Sequence, residues 1–495
     1  MIKTNGKDIS LWLVLLTAGG FFTACGSDID TVSDPNAIHT YELTIEGSKG
    51  DDGVQQAAMS RRVLTDDNNG TITSTWSEGD EVSVYNKTKD KAMSGKLKAQ
   101  SANQNAVLKG TLTGEVAIGD KLILSYGSKN YNTQDGTLTG ISTNCDYAEA
   151  EVTVTGIVSN EIEVENGGAA VFSNSQSIVK FKLLDSGNNP LGNVSQLKII
   201  AGSDTYIITP SSPTNGPLYA ALCPFTSTRV SLIATVGDKD YKYTKNSISF
   251  EKGKLYRINV KPSLLKKAAD AVADDKNKII GADGHIYDSK EEAGCYGTTA
   301  KATIVYVGSA GDVDASSSAY RGLAIALTDE TGSAVDKWGN TKEEVDIAKH
   351  ETMSIALGDL AGISNTAELV KEYGTMDGYI GMSINQFRTS TPHPAGTSDW
   401  FIPSLGQWAL LLNADGPNIP SDSSWDDPFI TTTSSDMTST PYSFSINHIF
   451  WTSTECGIES AAYLSYGSEK KVTIGPYTKG GTSGDSPALR PFLAF

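Results

Sequence analysis

Thr75-Trp-Ser-Glu-Gly-Asp80-Glu-Val-Ser-Val-Tyr85 sets a tryptophan ahead of a Gly-Asp pair and then an alternating polar and apolar run. Alternation with a period of two is the pattern of a strand with one buried face, and Gly79-Asp80 has the composition of a tight turn. The stretch therefore predicts a core aromatic leading through a turn into a strand. The same pattern recurs on both sides of it. Tyr41-Glu-Leu-Thr-Ile45 comes before; Lys121-Leu-Ile-Leu-Ser125, Glu151-Val-Thr-Val-Thr155 and Ser177-Ile-Val-Lys-Phe-Lys-Leu183 come after, separated by Gly, Asn and Asp. A second set occupies residues 197–200, 205–209, 230–235, 241–243 and 255–260. The expected N-terminal half is all-β, two consecutive β-sandwiches over residues 40–165 and 166–262, divided near Asn166-Gly-Gly168.

Residues 263–278 are rich in Ala and charge, lack alternation, and read as an inter-domain linker with one helical turn or two. Beyond them lie Trp338, Trp400, Trp408, Trp425 and Trp451, five of the seven tryptophans, and strand patterns mix with helical ones, so residues 279–495 read as an α+β domain. Lys301-Ala-Thr-Ile-Val-Tyr-Val307 is a strand pattern. Asn365-Thr-Ala-Glu368 and Ser404-Leu-Gly-Gln407 both have the form of a helix-opening capping box, the second leading a helix over 405–413.

At the other end, Lys3 and Lys7 precede Leu11-Trp-Leu-Val-Leu-Leu16, then small residues run into Phe22-Thr-Ala-Cys25. Residues 1–24 read as a secretory signal, too short in its apolar run to span a bilayer permanently. The approach to Cys25 resembles a bacterial lipobox, which implies lipidation of Cys25 and anchoring in an outer membrane at the cell surface. Residues 25–39, polar and acidic, read as a tether. A net charge of −18 over 495 residues, with no basic run, argues against nucleic acid as a partner.

Two resemblances go further. Residues 75–85, with Arg61-Arg62 before them, resemble the N-terminal segment of fimbrillin-like proteins, the subunits of type V pili. Residues 172–181 and Lys252-Gly-Lys-Leu-Tyr-Arg-Ile-Asn-Val260 resemble the second domain of that family. The resemblance implies a precursor lipoprotein cut after a basic residue, here Arg61 or Arg62, and other pilin subunits as partners through strand addition. The last third resembles a C-type-lectin-like module, through Ile280-Gly-Ala-Asp-Gly-His-Ile-Tyr287, Arg321-Gly-Leu-Ala-Ile-Ala-Leu-Thr-Asp329, Trp400-Phe-Ile-Pro-Ser-Leu-Gly-Gln-Trp408, Phe450-Trp-Thr-Ser-Thr454 and Leu489-Arg-Pro-Phe-Leu-Ala-Phe495. This implies a binding head for a host or bacterial glycan or protein. With that module last and no strand left to donate, a pilus tip or accessory adhesin is expected. The alternative is a non-fibrous surface lipoprotein that binds glycan beside exposed aromatics such as Trp338 or Trp425.

No metal or cofactor is expected. The calcium-lectin triplets Glu-Pro-Asn and Trp-Asn-Asp are missing, Trp425-Asp426-Asp427 being the nearest approach, and Asp283, Asp288 and Glu291 read as loop charges. Nor is an enzyme expected. His39, His285, His350, His393 and His448 are scattered without HExxH, no Gly-x-Ser-x-Gly occurs, and no His or basic residue flanks Cys295 or Cys456. Of Cys145, Cys223, Cys295 and Cys456, only Cys295 and Cys456 fall in one proposed domain, so they are the favoured disulfide, against free buried thiols as the alternative.

Overall fold

The computed structural model describes residues 38–49, 65–66, 72–314, 317–328, 337–412, 425, 429–432, 448–468, 471–481 and 487–495. The signal expected at 1–24 and nearly all of the tether at 25–39 lie outside the described residues. The described chain is mostly β.

The first unit has as its main strands β1 (His39–Lys49), β2 (Glu81–Asn86), β3 (Leu97–Ala99), β4 (Asn105–Gly114), β5 (Lys121–Gly127), β6 (Tyr147–Val158), β7 (Glu161–Val164) and β8 (Ala169–Asn174). Each alternates a buried and an outer face, as in β2, where Val82 and Val84 point inward. Pairing runs β1, β8, β6, β5, β2, β3, β4 and back to β1, so the sheet closes on itself as a barrel-like ring. This corrects the expected sandwich for the first unit. A closed ring satisfies both edges of every strand, which two open sheets do not. Trp76, fully buried, sits at its centre with its rim against Tyr126 and Phe172.

The division expected at 165/166 also moves. Asn166, Gly167 and Gly168 take left-handed φ of 59°, 64° and 84°, and this local crossover carries the chain from β7 to β8 within the same ring. Conversely, residues 131–145 leave the first unit. Gln134 both donates to and accepts from the backbone of Ala221, and the helix Leu138–Asn144, capped by Thr137, buries Ile141 among residues of the second unit. Contacts across strands far apart in sequence decide both points, and alternation alone does not encode them.

The second unit faces a six-stranded sheet, including Val194–Ala201, Phe225–Val236 and Lys239–Phe250, against the three strands Leu218–Leu222, Ser177–Leu183 and Leu255–Val260. Phe181, Leu197, Tyr206 and Ile208 fill the space between. The third unit joins a five-stranded sheet, in which Phe492–Ala494 pairs with Gly322–Ala326, to a four-stranded one containing His448–Gly457. The helices Gly362–Tyr373, Ile380–Ser390 and Leu405–Leu411 belong to this unit. Ser404 and Gln407 form the expected capping box. Asn365 does not open its helix, which starts three residues earlier; it is buried and donates to Ser453 O and Asp359.

Residues 263–278 hold short helical turns and are also anchored to their neighbours. Ser263–Leu265 pairs with Lys239–Phe250, Ala268 and Ala271 are buried, and two single 3-10 turns follow. Buried Asp275 holds the segment by accepting from Lys266 Nζ (2.9 Å), Lys278 Nζ (3.1 Å) and the Val272 N–H. Burial alone would raise this carboxyl, but the two ammonium groups and the N–H reverse the effect and lower it.

Candidate functional site: the first strand and its cradle

β1 occupies an unusual place in the ring. On one side it runs antiparallel to β4, from His39 opposite Gly114 to Ser48 opposite Asn105. On the other it runs parallel to β7 at Glu42 and Leu43, then parallel to β8 from Glu46 onward. Its inner face is Tyr41, Leu43, Ile45 and Gly47; Thr40, Glu42, Thr44 and Glu46 face out. Leu43 and Ile45 are essentially inaccessible, at 0% and 1% exposure. At about 1.5–3 kcal/mol for each large apolar side chain buried, three such anchors and two hydrogen-bond ladders fix β1 firmly.

The cradle narrows toward the end of β1. Trp76 Nε1 donates to Gly47 O at 2.9 Å. A Cβ at position 47 would stand 2.6 Å from Leu108 Cδ1 and 3.3 Å from Trp76 Cζ2. Gly47 is not among the residues of positive φ, so space and not backbone conformation calls for glycine there. Along the chain, β1 joins the rest of the ring through residues 50–80. A single peptide cut in that stretch leaves β1 held by non-covalent forces alone.

Arg61 and Arg62 lie in that stretch, and both, like Cys25, fall outside the described residues. The expected ligand aromatics are placed differently from the expectation. Trp338 is fully buried, donates Nε1–H to Thr452 O at 2.7 Å, and lies under the Lys479 ammonium, 5.2 Å from the ring centre. Trp425 is half-buried and donates to His350 O at 2.6 Å. Large aromatics in an α+β core bury readily, and the sequence pattern did not separate core from surface. Cys295 and Cys456 are both free, the first beside Arg229 and Glu291 O, the second buried in the core around Trp408. Asp283 and Asp288 are bound to Tyr287 and Lys278, and the described residues hold no group of three or more metal-ligating side chains.

Two charged clusters went unread in the sequence. At the seam between the second and third units, His285 faces Asp240 at 3.1 Å and Asp283 at 3.4 Å as ion pairs, not aligned hydrogen bonds. Burial would lower this imidazole, yet the two carboxylates hold it at about 9. Lys242 with Glu292 (2.7 Å) and Thr244 with the Tyr296 hydroxyl (2.9 Å) close the same seam over Leu265, Ile279 and Tyr287. In the third unit Lys479 and Glu455 form a fully buried ion pair, and Lys479 also donates to Glu343 O. Each cluster joins residues far apart in the chain, so no local motif announces it.

No family model matches the sequence, and no curated protein matches it. Similar solved structures include a fimbrial protein from Bacteroides ovatus, 14% identical, covering 93% of this chain and 100% of that one at a TM-score of 0.29. A tip fimbrial protein from Porphyromonas gingivalis is 7% identical and covers 45% of this chain and 95% of its own at 0.25. A fimbrial assembly protein from Parabacteroides distasonis is 10% identical, covering 45% and 91% at 0.24. Scores this low do not define a shared fold.

Proposed function

We propose that this chain is a cell-surface adhesin subunit of a pilus, lipidated at Cys25, whose β1 is released by a cut after Arg61 or Arg62 and replaced by a strand from another subunit. The observation that carries the reading is the position of β1. It is the first of the described strands, and its removal alone turns a closed ring into an open groove with two unpaired edges. Main-chain hydrogen bonds along both edges then provide the affinity for an added strand. The third unit, fixed through the His285 seam, is the binding head in this reading. In the alternative of a glycan groove beside Trp338 and Trp425, Trp338 is core and takes no part, while Trp425 is half-buried with its indole N–H engaged by His350 O.

N-terminal sequencing of the protein from sheared surface fibres and from whole outer membranes tests this. A start at Arg62 or Val63 in fibres, abolished by Arg61→Ala/Arg62→Ala together with loss from the fibre fraction, is expected. An acylated Cys25 in both fractions, with residues 38–49 retained in fibres, overturns it.

A further inference from the structure

Resting on the strand-exchange reading, we infer that the vacated groove selects an incoming strand carrying glycine at the register of Gly47 and running in the direction of β1. The partner is an extended segment with an aromatic or large aliphatic residue at the registers of Tyr41, Leu43 and Ile45, and no side chain at the fourth.

The groove is asymmetric. Its first three inward registers hold a tyrosine, a leucine and an isoleucine, all buried. Its fourth is closed by Leu108 and Trp76, both 0% exposed. Leu108 is fully buried in the same core, so turning its side chain aside displaces packed neighbours. Trp76 is pinned edge-on by Tyr126 at 5.3 Å and Phe172 at 5.0 Å, and its N–H needs a carbonyl where Gly47 O lies. A Cβ 2.6 Å from a carbon forces a shift that close-packed interiors resist. The backbone at Gly47 has no left-handed φ, so the demand is for volume alone. A strand entering in reverse would bring a large residue into the closed register and leave the Tyr41 register underfilled. It would also exchange the antiparallel ladder on β4 and the parallel one on β7 and β8.

The test uses the full chain nicked after Arg61 or Arg62 by limited digestion with a trypsin-like protease. Fluorescent peptides of residues 38–49 are then offered in excess: the native sequence, Gly47→Val, the outward-facing control Thr44→Val, and the reversed sequence. The native peptide is expected to exchange with β1. Gly47→Val and the reversed peptide should bind at least about tenfold more weakly, and Thr44→Val within about twofold. If the native peptide enters and Gly47→Val or the reversed peptide binds as well, the selectivity is overturned while strand exchange stands. If no peptide displaces β1 from the nicked chain, the exchange reading falls and the inference with it.

Discussion

Trp76 donates its indole N–H to the carbonyl of Gly47 at 2.9 Å, tying the residue that leads into β2 to the last inward register of β1. The bond joins the strand that would leave to the wall that would stay. It also explains why an aromatic with a polar edge stands here and not a phenylalanine, since buried indole N–H groups require a partner.

Replacing Trp76 should therefore loosen β1 before it loosens the rest of the ring. Trp76→Phe keeps an aromatic but loses the hydrogen bond and some volume, at a cost of about 1–3 kcal/mol. Trp76→Ala should cost about 3–5 kcal/mol. Urea unfolding gives the totals. Hydrogen exchange should show β1 amides accelerated more than those of β5; equal acceleration of both would mean that Trp76 supports the whole core without a particular hold on β1.

The His285 seam gives stability a defined pH dependence. Its folded-state pKa of about 9 lies above the ordinary histidine value. The imidazolium contribution is thus fully present below about pH 6.5 and is lost as pH rises through about 9. Asp240 moves the opposite way, lowered chiefly by its contact with His285. Melting temperature should fall between about pH 7 and 10 more steeply in the native chain than in His285→Gln, whose stability deficit should shrink across that interval. Parallel curves for the two proteins would show that the histidine does not carry the dependence.

Much of the strand content was legible because alternation is local: Ser177–Leu183 and Leu255–Val260 are found at the residues that the pattern marks. Ring closure was not, since β1 meets β4 between Ser48 opposite Asn105 and His39 opposite Gly114, and nothing near Tyr41 records Leu112 as its partner. Asn166-Gly-Gly168 has the pattern of a boundary because clustered glycines punctuate domains and crossovers alike. For the candidate site, the alternation of Tyr41, Leu43 and Ile45 was visible. The narrowing at Gly47 was not, because Leu108 and Trp76 come from other strands and loops. A glycine ending an alternating apolar run was the available signal.

The buried pair of Lys479 and Glu455 should behave as a unit. Both side chains are 0% exposed, Lys479 lies over Trp338, and Glu455 Oε2 has no hydrogen-bond partner among the described residues. Burial raises the Glu455 carboxyl despite Lys479 beside it. Lys479→Met leaves a carboxylate buried alone and should cost about 3–5 kcal/mol, whereas Lys479→Met/Glu455→Leu should recover most of that. Because the lone carboxyl favours its protonated form, the deficit of Lys479→Met should lessen as pH is lowered through the raised pKa toward the ordinary carboxyl range. A deficit unchanged from neutral to mildly acidic pH, in urea titrations, would place its cause in packing over Trp338 instead.

Thiol accessibility separates the free cysteines from the disulfide that the sequence favours. Cys223 is exposed; Cys295 is partly covered at the seam, with its sulfur against Arg229 and the Glu291 carbonyl. Cys145 and Cys456 are buried, and burial pushes the first up to about 11 and raises the second further still. Thiolate is the reactive form, so burial and a raised pKa act in the same direction. Under native conditions a maleimide should label Cys223 first and Cys295 more slowly. Cys145 and Cys456 should react only on unfolding, without prior reduction. A Cys295 and Cys456 pair that stays unlabelled in denaturant until a reductant is added would restore the disulfide. It would also require the helix carrying Cys295 to leave the seam with the second unit, because Cys456 is packed in the separate core around Trp408.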